Sequence, residues 1–592
     1  MTTSLPRRSS PARFFLVFGL TASLLILGTL PCWAQLVVTT LADSGPGSLR
    51  AAIDTANSNA GADVITFDPV IFPPPPAAPG VILLSSVLST LTGTGDTIDG
   101  TGAGVVIDGA GLPVNTVGLR VRRSNYTIRG LTIQNFPGDG IRVETPPPPT
   151  TVTTVTGVVI DSNNLFANGS RGVRVTGGQG PTTSGGSGGG KTVAGSITNN
   201  TVVDNVGGGI LVIGNLNSTG DFGGHTVTAT IDGNTVRRSQ QGFQAGELNG
   251  NGIQIAGATG LGSNSVVTAT VSNNSVHRNS DHGIVASGCS SNGSSGVNNT
   301  VNVSIINNSV KENGFNGDPT INRDGIQIQG AAGSTPTATT CAGNVLVFDI
   351  SGNDTGGNKS RNIIVNGGSG SGHDLHGIVS GNTAKNTVDN SGISVSAGRG
   401  VGNHVHDVIV SENQVSDSFS NAILVTGGTE SINSNVAGIT VTSNHLFNNG
   451  SRGILVTGGT DTINAAITGI LINSNLATGN GDRGIQASTG STTGAITPTV
   501  RVADMSNNSS NSNAADGIFI GSGVPGTGST PVSGNRADRN GAAGILLNST
   551  GYVLSNNTAS RNTGAGISAA GNTNGGGNVA SSNASCNSPG CF

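Results

Sequence analysis

In the second half of the chain, apolar and polar residues recur on a beat of 31. Asn382, Asn413, Asn444 and Asn475 fall at equal intervals, and three stretches superimpose without a gap: VIVSENQVSDSFSNAILVTGG from Val408, ITVTSNHLFNNGSRGILVTGG from Ile439 and ILINSNLATGNGDRGIQASTG from Ile470. Five and three positions before each asparagine stand apolar residues: Val408 and Val410, Ile439 and Val441, Ile470 and Ile472. Period two predicts a strand. A second alternation begins ten residues after the asparagine, at Ile423 and Val425 and at Ile454 and Val456. The same interval of ten joins Asn200 to Ile210, Asn274 to Ile284, Asn353 to Ile363, Asn508 to Ile518, Asn535 to Ile545 and Asn557 to Ile567. The unit therefore has at least two strands and two turns.

Helical repeats are excluded, because Gly and Asn are poor helix formers and no three-four spacing is present. Propeller blades would need more hairpin signals. One unit cannot bury its own apolar stripe, so units must stack. A coiling chain does this, with equivalent positions of successive coils about 4.8 Å apart in parallel ladders. The final coil, Ile545 to Ile567, takes only 22 residues, too few to include a helix. The glycines before the isoleucines (Gly453, Gly484, Gly517, Gly544 and Gly566) are expected at a corner of positive φ.

The recurring (S/N)NxV…GI frame and the segment TIDGTGAGVVIDGAG at Thr97 to Gly111 resemble right-handed parallel β-helix proteins of the pectate-lyase-like class, especially bacterial secreted β-helix repeat proteins. The resemblance covers about Thr97 to the C-terminus. It implies an all-β protein, a right-handed parallel β-helix solenoid of about 13–15 coils, with residues 97–571 forming the helix and 572–592 its C-terminal end. Members of the class stack turn asparagines into ladders, the role implied for Asn413, Asn444 and Asn475. The start, LVVTTLADSGPGSLRAAIDTANSNAGADVITFD from Leu36, is similar to these proteins as well. There Ser48 is placed to cap a short helix carrying Leu49, Ala52, Ile53 and Ala56 on one side, so 35–96 reads as an N-terminal cap over the first coil. The catalytic constellations of the class are missing from the sequence: there is no close Asp-Asp pair with GHG and RIK, no Arg-x-Pro-x-x-Arg and no Asp-Pro-His-Glu. P-loop, zinc-finger and nucleophile-elbow patterns are missing too.

Arg7, Arg8 and Arg13 precede an apolar run from Phe14 to Leu30, and Ala34 offers a small residue for cleavage. Residues 1–34 are therefore predicted to be a secretory signal cleaved after Ala34, the alternative being an uncleaved anchor at the lower limit of spanning length. The remaining chain carries 24 basic and 31 acidic residues, a net charge of −7, so no nucleic-acid surface is expected, and no stable membrane span. Its four cysteines, Cys289, Cys341, Cys586 and Cys591, fit an oxidising compartment. Cys586 is expected to pair with Cys591 and Cys289 with Cys341, although three connectivities are open. With 96 Gly the composition hints at disorder, but the regular Val/Ile pattern supplies a buried stripe.

Two coils break the ten-residue rule by eight residues or more. Asn234 to Ile253 takes 19 and Asn308 to Ile326 takes 18, while Asn274 to Ile284 between them keeps ten. Loops 237–252 and 311–325 should then flank a low rung. They supply Arg237, Arg238, Gln244, Glu247, Lys311, Glu312, Asp318, Arg323 and Asp324, over a floor of His277, Arg278, Asp281 and His282. Carboxylates beside basic groups suit acid–base chemistry on a sugar chain. Glu312, Asp324 and Asp281 are the candidate catalytic groups, and His282, Arg278, Lys311 and Arg323 the candidate substrate-binding ones; Asp281, His282, Glu312 and Asp324 are expected to converge. The same residues would serve plain glycan binding, and polar side chains are also ordinary in loops.

A second cluster is His373, His376, His404 and His406, within 34 residues. His373 and His404 are 31 apart and expected to stack; with Asp374 and Asp407 nearby, His373, His404 and His406 are candidate transition-metal ligands. No cofactor is assigned. The sequence thus points to an exported extracellular or cell-surface protein engaging a polysaccharide, a cell-surface glycan or another surface. The rivals are a polysaccharide lyase, hydrolase or epimerase working in the cleft, and a non-catalytic spacer or adhesin.

Overall fold

Strands with one apolar stripe, repeated at near-constant spacing, stack into three parallel ladders in the structure, a computed structural model that describes residues 34–147, 150–178, 190–216, 223–239, 250–259, 263–289, 296–314, 323–331, 341–490 and 498–586. The first ladder joins nineteen strands from Ala34–Val38 to Thr573–Gly576, the second seventeen from Gly80–Leu83 to Val579–Ser581, and the third fifteen from Leu119–Val121 to Ile567–Ser568. In the coil that begins at Thr440, Val441 pairs with Ile472, Leu446 with Ala477 and Ile454 with Ile485, all in parallel. This is the all-β, right-handed parallel β-helix, with the hand that parallel crossovers take.

From Thr97 to Ser568 each coil crosses all three sheets, one more strand than the alternation revealed. The extra strand is only three residues long, as in His445–Phe447, where Leu446 alone points inward. A single buried residue has no period to read. Val441, Leu446, Ile454 and Val456 are fully buried and belong to one continuous apolar column running along the solenoid.

The turn between the first and second sheets carries an unbroken ladder of asparagines from Asn163 to Asn578. Each Oδ1 accepts both the backbone N–H and the amide of the asparagine one coil before. A second ladder, five residues later, joins Asn449, Asn480, Asn513, Asn540, Asn562 and Asn583. Buried corners thereby find their hydrogen-bond partners within the chain.

The glycines before the third-sheet isoleucines have a different reason from the expected one. Gly453, Gly484, Gly517, Gly544 and Gly566 are not among the positive-φ residues. A Cβ on Gly453 would instead lie 2.5 Å from the carbonyl oxygen of Gly484 one coil on, and one on Gly517 would lie 2.6 Å from that of Gly544. Close backbone stacking, not handedness, requires them.

The helix Leu49–Ser58 lies beside the first strands and buries Leu49, Ala52, Ile53 and Ala56. Its cap is Ser48, whose Oγ accepts the Ala51 N–H at 3.2 Å. No helix among the described residues is long and apolar enough to cross a membrane. Cys289 and Cys341 form a disulfide between neighbouring coils, with Cα atoms 6.6 Å apart. The predicted signal segment is outside the described residues except for its last residue, and so is Cys591, the expected partner of Cys586.

Candidate functional site

The residues expected to form the cleft separate into two groups. Asp281 and His282 precede the third-sheet strand Ile284–Cys289, and Arg323 and Asp324 precede Ile326–Ala331 one coil on. Stacking brings these four together. The Asp324 backbone N–H donates to His282 Nδ1 at 2.8 Å. The neutral ring therefore carries its proton on Nε2, which faces Asp281 Oδ1 at 3.6 Å. Arg323 Nε lies 3.1 Å from the same carboxylate. Asp324, itself buried, accepts the Arg361 backbone N–H at 2.9 Å and has the Arg361 guanidinium 3.7 Å away.

Glu312 stands apart from this cluster. It precedes Asn313 at the corner after the second sheet, in left-handed backbone, stacked on the equivalent Arg278 of the coil before; φ is 56° and 57°. The two pair at 2.6 Å with side chains 53% and 66% exposed, an arrangement that contributes little stability. Asp204 and Arg238 repeat it on earlier coils, and Lys311 pairs with Asp354. Gln244, Glu247 and Asp318 are outside the described residues, as are 240–249 and 315–322 of the two long loops.

A concavity begins at Asp324 and runs away from the expected cleft. It is a groove of about 620 Å³ on the outer face of the third sheet, reaching Gly490. Its floor has two rows in register. Gln327, Ile364, Ser394, Leu424 and Leu455 form one; Asn366, Ser396, Thr426 and Thr457 form the other. Five rungs at about 4.8 Å make a floor about 20 Å long. One wall starts at Asp324 and Arg361; the other is a glycine ladder of Gly398, Gly428 and Gly459. A Cβ on Gly428 would meet the Gly398 carbonyl oxygen at 2.1 Å and one on Gly459 the Gly428 oxygen at 2.2 Å, so the wall stays low. Arg399, exposed on this wall, forms no ion pair with the described residues. The signal for the groove lay in the repeats themselves: the outward residues of ILVTGG and its copies, and a run of coils without a long insertion between 361 and 490.

The histidine cluster is arranged differently from its spacing. His404 pairs with Asp374, not with His373. The extra residue that lengthens this coil enters at Asp407, after the histidines, so residues before it stack at an interval of 30. A one-residue offset reverses the face on which a side chain lies. His373 is accordingly buried in a turn ladder, where its Nδ1 accepts the Asn344 N–H at 3.3 Å and its own N–H donates to Asn403 at 3.2 Å. Burial pushes its imidazole down to about 4. It is not available as a ligand beside His404 and His406, which lie on the outer face. His376 takes the place expected for it. Burial of the His406 ring acts to lower its pKa, but the hydrogen bonds and charges of Asp407 and Asp374 outweigh that and raise it.

A further cluster had no periodic signature. Arg120, Arg142 and Arg174 stack on the outer face of the third sheet's first rungs. Asp139 takes Arg142 at 2.6 Å and Arg174 at 2.9 Å. Burial alone would raise the Asp139 carboxyl, but the charges of Arg174, Arg142 and Arg171 hold it below its ordinary range.

No family model matches the chain, and no curated protein does. Among solved structures it is similar to the Dettilon tailspike protein, with 14% identity over 83% of this chain and 66% of that one and a TM-score of 0.33. It is also similar to the A-module of an Azotobacter vinelandii mannuronan C-5 epimerase, with 13% identity, coverages of 73% and 95% and a TM-score of 0.34. A third is an E. coli bacteriophage tailspike protein in complex with a pentasaccharide, with 13% identity, coverages of 93% and 78% and a TM-score of 0.29. The chain spans just under two thirds of the Dettilon protein. Likeness this loose carries nothing about activity; the parallel β-helix stands on its three ladders.

Proposed function

We propose that this chain is an exported protein that holds an extended glycan in the groove on its third sheet. The observation that carries the reading is the floor of the groove. Leu424 and Leu455 run beside Thr426 and Thr457, with Ile364 beyond Ser394 in the same row, offering apolar patches to the C–H faces of sugars and hydroxyls to their edges. Arg361 and Arg399 add positive charge at the walls, which suits a glycan bearing carboxylates or sulfates. Export is supported by the predicted signal and by the Cys289–Cys341 disulfide.

A catalytic reading has one specific support: Asp324 and Arg361 line the groove, and Asp324 contacts His282 of the Asp281–His282 pair behind it. The two readings separate in one experiment. The protein without residues 1–34 is run on a glycan array beside assays for unsaturated uronates and new reducing ends. Retention without products, lost in Thr426→Trp, supports binding. Products that disappear in Asp281→Asn with Asp324→Asn establish an enzyme. No retention on any glycan overturns both.

A further inference from the structure

On the outer face of the first sheet, away from the groove, Asp374, His376 and His406 place their donor atoms within 4.8 Å of one another. They come from the paired strands Asp374–Ser380 and His404–Ser411. Between these strands the register slips. Leu375 faces Val405 but Gly377 faces Val408, so His376 opposes two residues, His406 and Asp407. Such a bulge bends the strand and re-aims its side chains. Asp407 takes a left-handed φ of 49°, and its carboxylate sits 2.9 Å from His406 Nδ1. The other ring nitrogen, Nε2, is thereby directed at Asp374 Oδ1, 2.7 Å away. His376 Nδ1 lies 3.6 Å from that same oxygen. It is buried and has no hydrogen-bond partner. The two rings are stacked with centroids 5.2 Å apart.

We propose that Asp374, His376 and His406 form a site for a divalent transition-metal ion of the zinc class, with Asp407 as the group that orients His406. A tetrahedral ion with bonds near 2.0–2.1 Å sets its donors about 3.4 Å apart. The 3.6 Å separation already meets this, and the 2.7 Å contact has to open by about 0.7 Å when a cation takes the place between nitrogen and oxygen. The unpartnered His376 Nδ1 then gains the partner it lacks. A carboxylate on the far nitrogen of a ligating imidazole fixes its tautomer and orientation, the position Asp407 holds. Two imidazoles and one carboxylate favour zinc, nickel or copper over calcium or magnesium. Three protein donors leave a coordination position for water. His404, exposed, has its ring 5.9 Å from that of His406 and borders the site.

The test uses tag-free protein, with Zn2+ in titration calorimetry and Co2+ as a visible-absorption probe. One equivalent of metal and the d–d bands of a four-coordinate Co2+ centre are expected, with no competition from Ca2+. His406→Ala and His376→Gln each lower Zn2+ affinity more than about 100-fold, and Asp407→Asn lowers it about 10–100-fold without losing the bands. Outer-face variants are checked for an unchanged melting temperature without metal; should one fail to fold, the wild-type Co2+ spectrum decides. Absence of Co2+ bands and of Zn2+ heat at millimolar metal overturns the site. So does wild-type affinity in folded His376→Gln and His406→Ala, which would assign the metal to other surface histidines.

Discussion

The side-chain amide of Asn444 donates to Oδ1 of Asn475 one coil on, at 2.9 Å, and the same oxygen accepts the Asn444 backbone N–H at 3.1 Å. Both residues are 1% exposed. The link repeats from coil to coil, so each asparagine is donor to the next and acceptor from the last. Groups buried to this degree need partners within the chain.

Asn444→Ala removes the acceptor of two Asn413 donors and the amide that reaches the Val410 carbonyl. The expected cost is about 1–3 kcal/mol, read as a lower denaturation midpoint. Glycan retention should not change. An unchanged midpoint would show that the ladder is incidental to stability.

His373 gives the fold a pH dependence. Its imidazole titrates at about 4 when folded, against 6.5 for an unperturbed histidine. Between those values the unfolded chain binds the extra proton, so stability is full above about 6.5 and is lost as pH falls toward 4, by up to about 3 kcal/mol. His373→Asn restores the residue type of its ladder neighbours Asn344 and Asn403. The difference between wild-type and variant stability, measured from pH 7.5 to 4, should grow as pH falls. A flat difference would contradict the assignment.

The Cys289–Cys341 disulfide closes a separation of 52 residues. Reducing it should lower stability by about 2–4 kcal/mol. Denaturation with the thiols confirmed free by mass spectrometry checks this, and the same mapping of oxidised protein tests the Cys586–Cys591 linkage.

Glycine at the third-sheet corner is a stacking requirement. Gly453→Ala puts a methyl 2.5 Å from the Gly484 oxygen and should cost about 1–3 kcal/mol. Gly61, whose added Cβ meets nothing within 4 Å, is the control and should tolerate alanine. Equal effects at both positions would remove the steric explanation.

Much of the architecture was legible because a solenoid writes its geometry into spacing. The Asn413, Asn444, Asn475 interval is the length of one coil, and residues one coil apart must be neighbours. The inward stripe at Val441 and Ile472 follows from period two. The second-sheet strands were not legible, since three residues around Leu446 carry no period. The site was harder still. Asp281, His282 and Asp324 meet as spacing predicts, but Glu312 turns outward to Arg278 from a left-handed corner.

By itself the sequence determined a stack of coils, its asparagine ladder, its apolar column and the helix capped by Ser48, because these depend only on periodicity and local hydrogen bonding. Tertiary structure decided which residues share a face. Counting between Asn382 and Asn413 gives the coil length but not where the extra residue enters. The bulge at Asp407 places it after the histidines, sending His373 into the ladder and joining His376 and His406 to Asp374 on the surface. In a strand one residue of register inverts inside and outside, so chemistry at that face is fixed only when the coils are stacked.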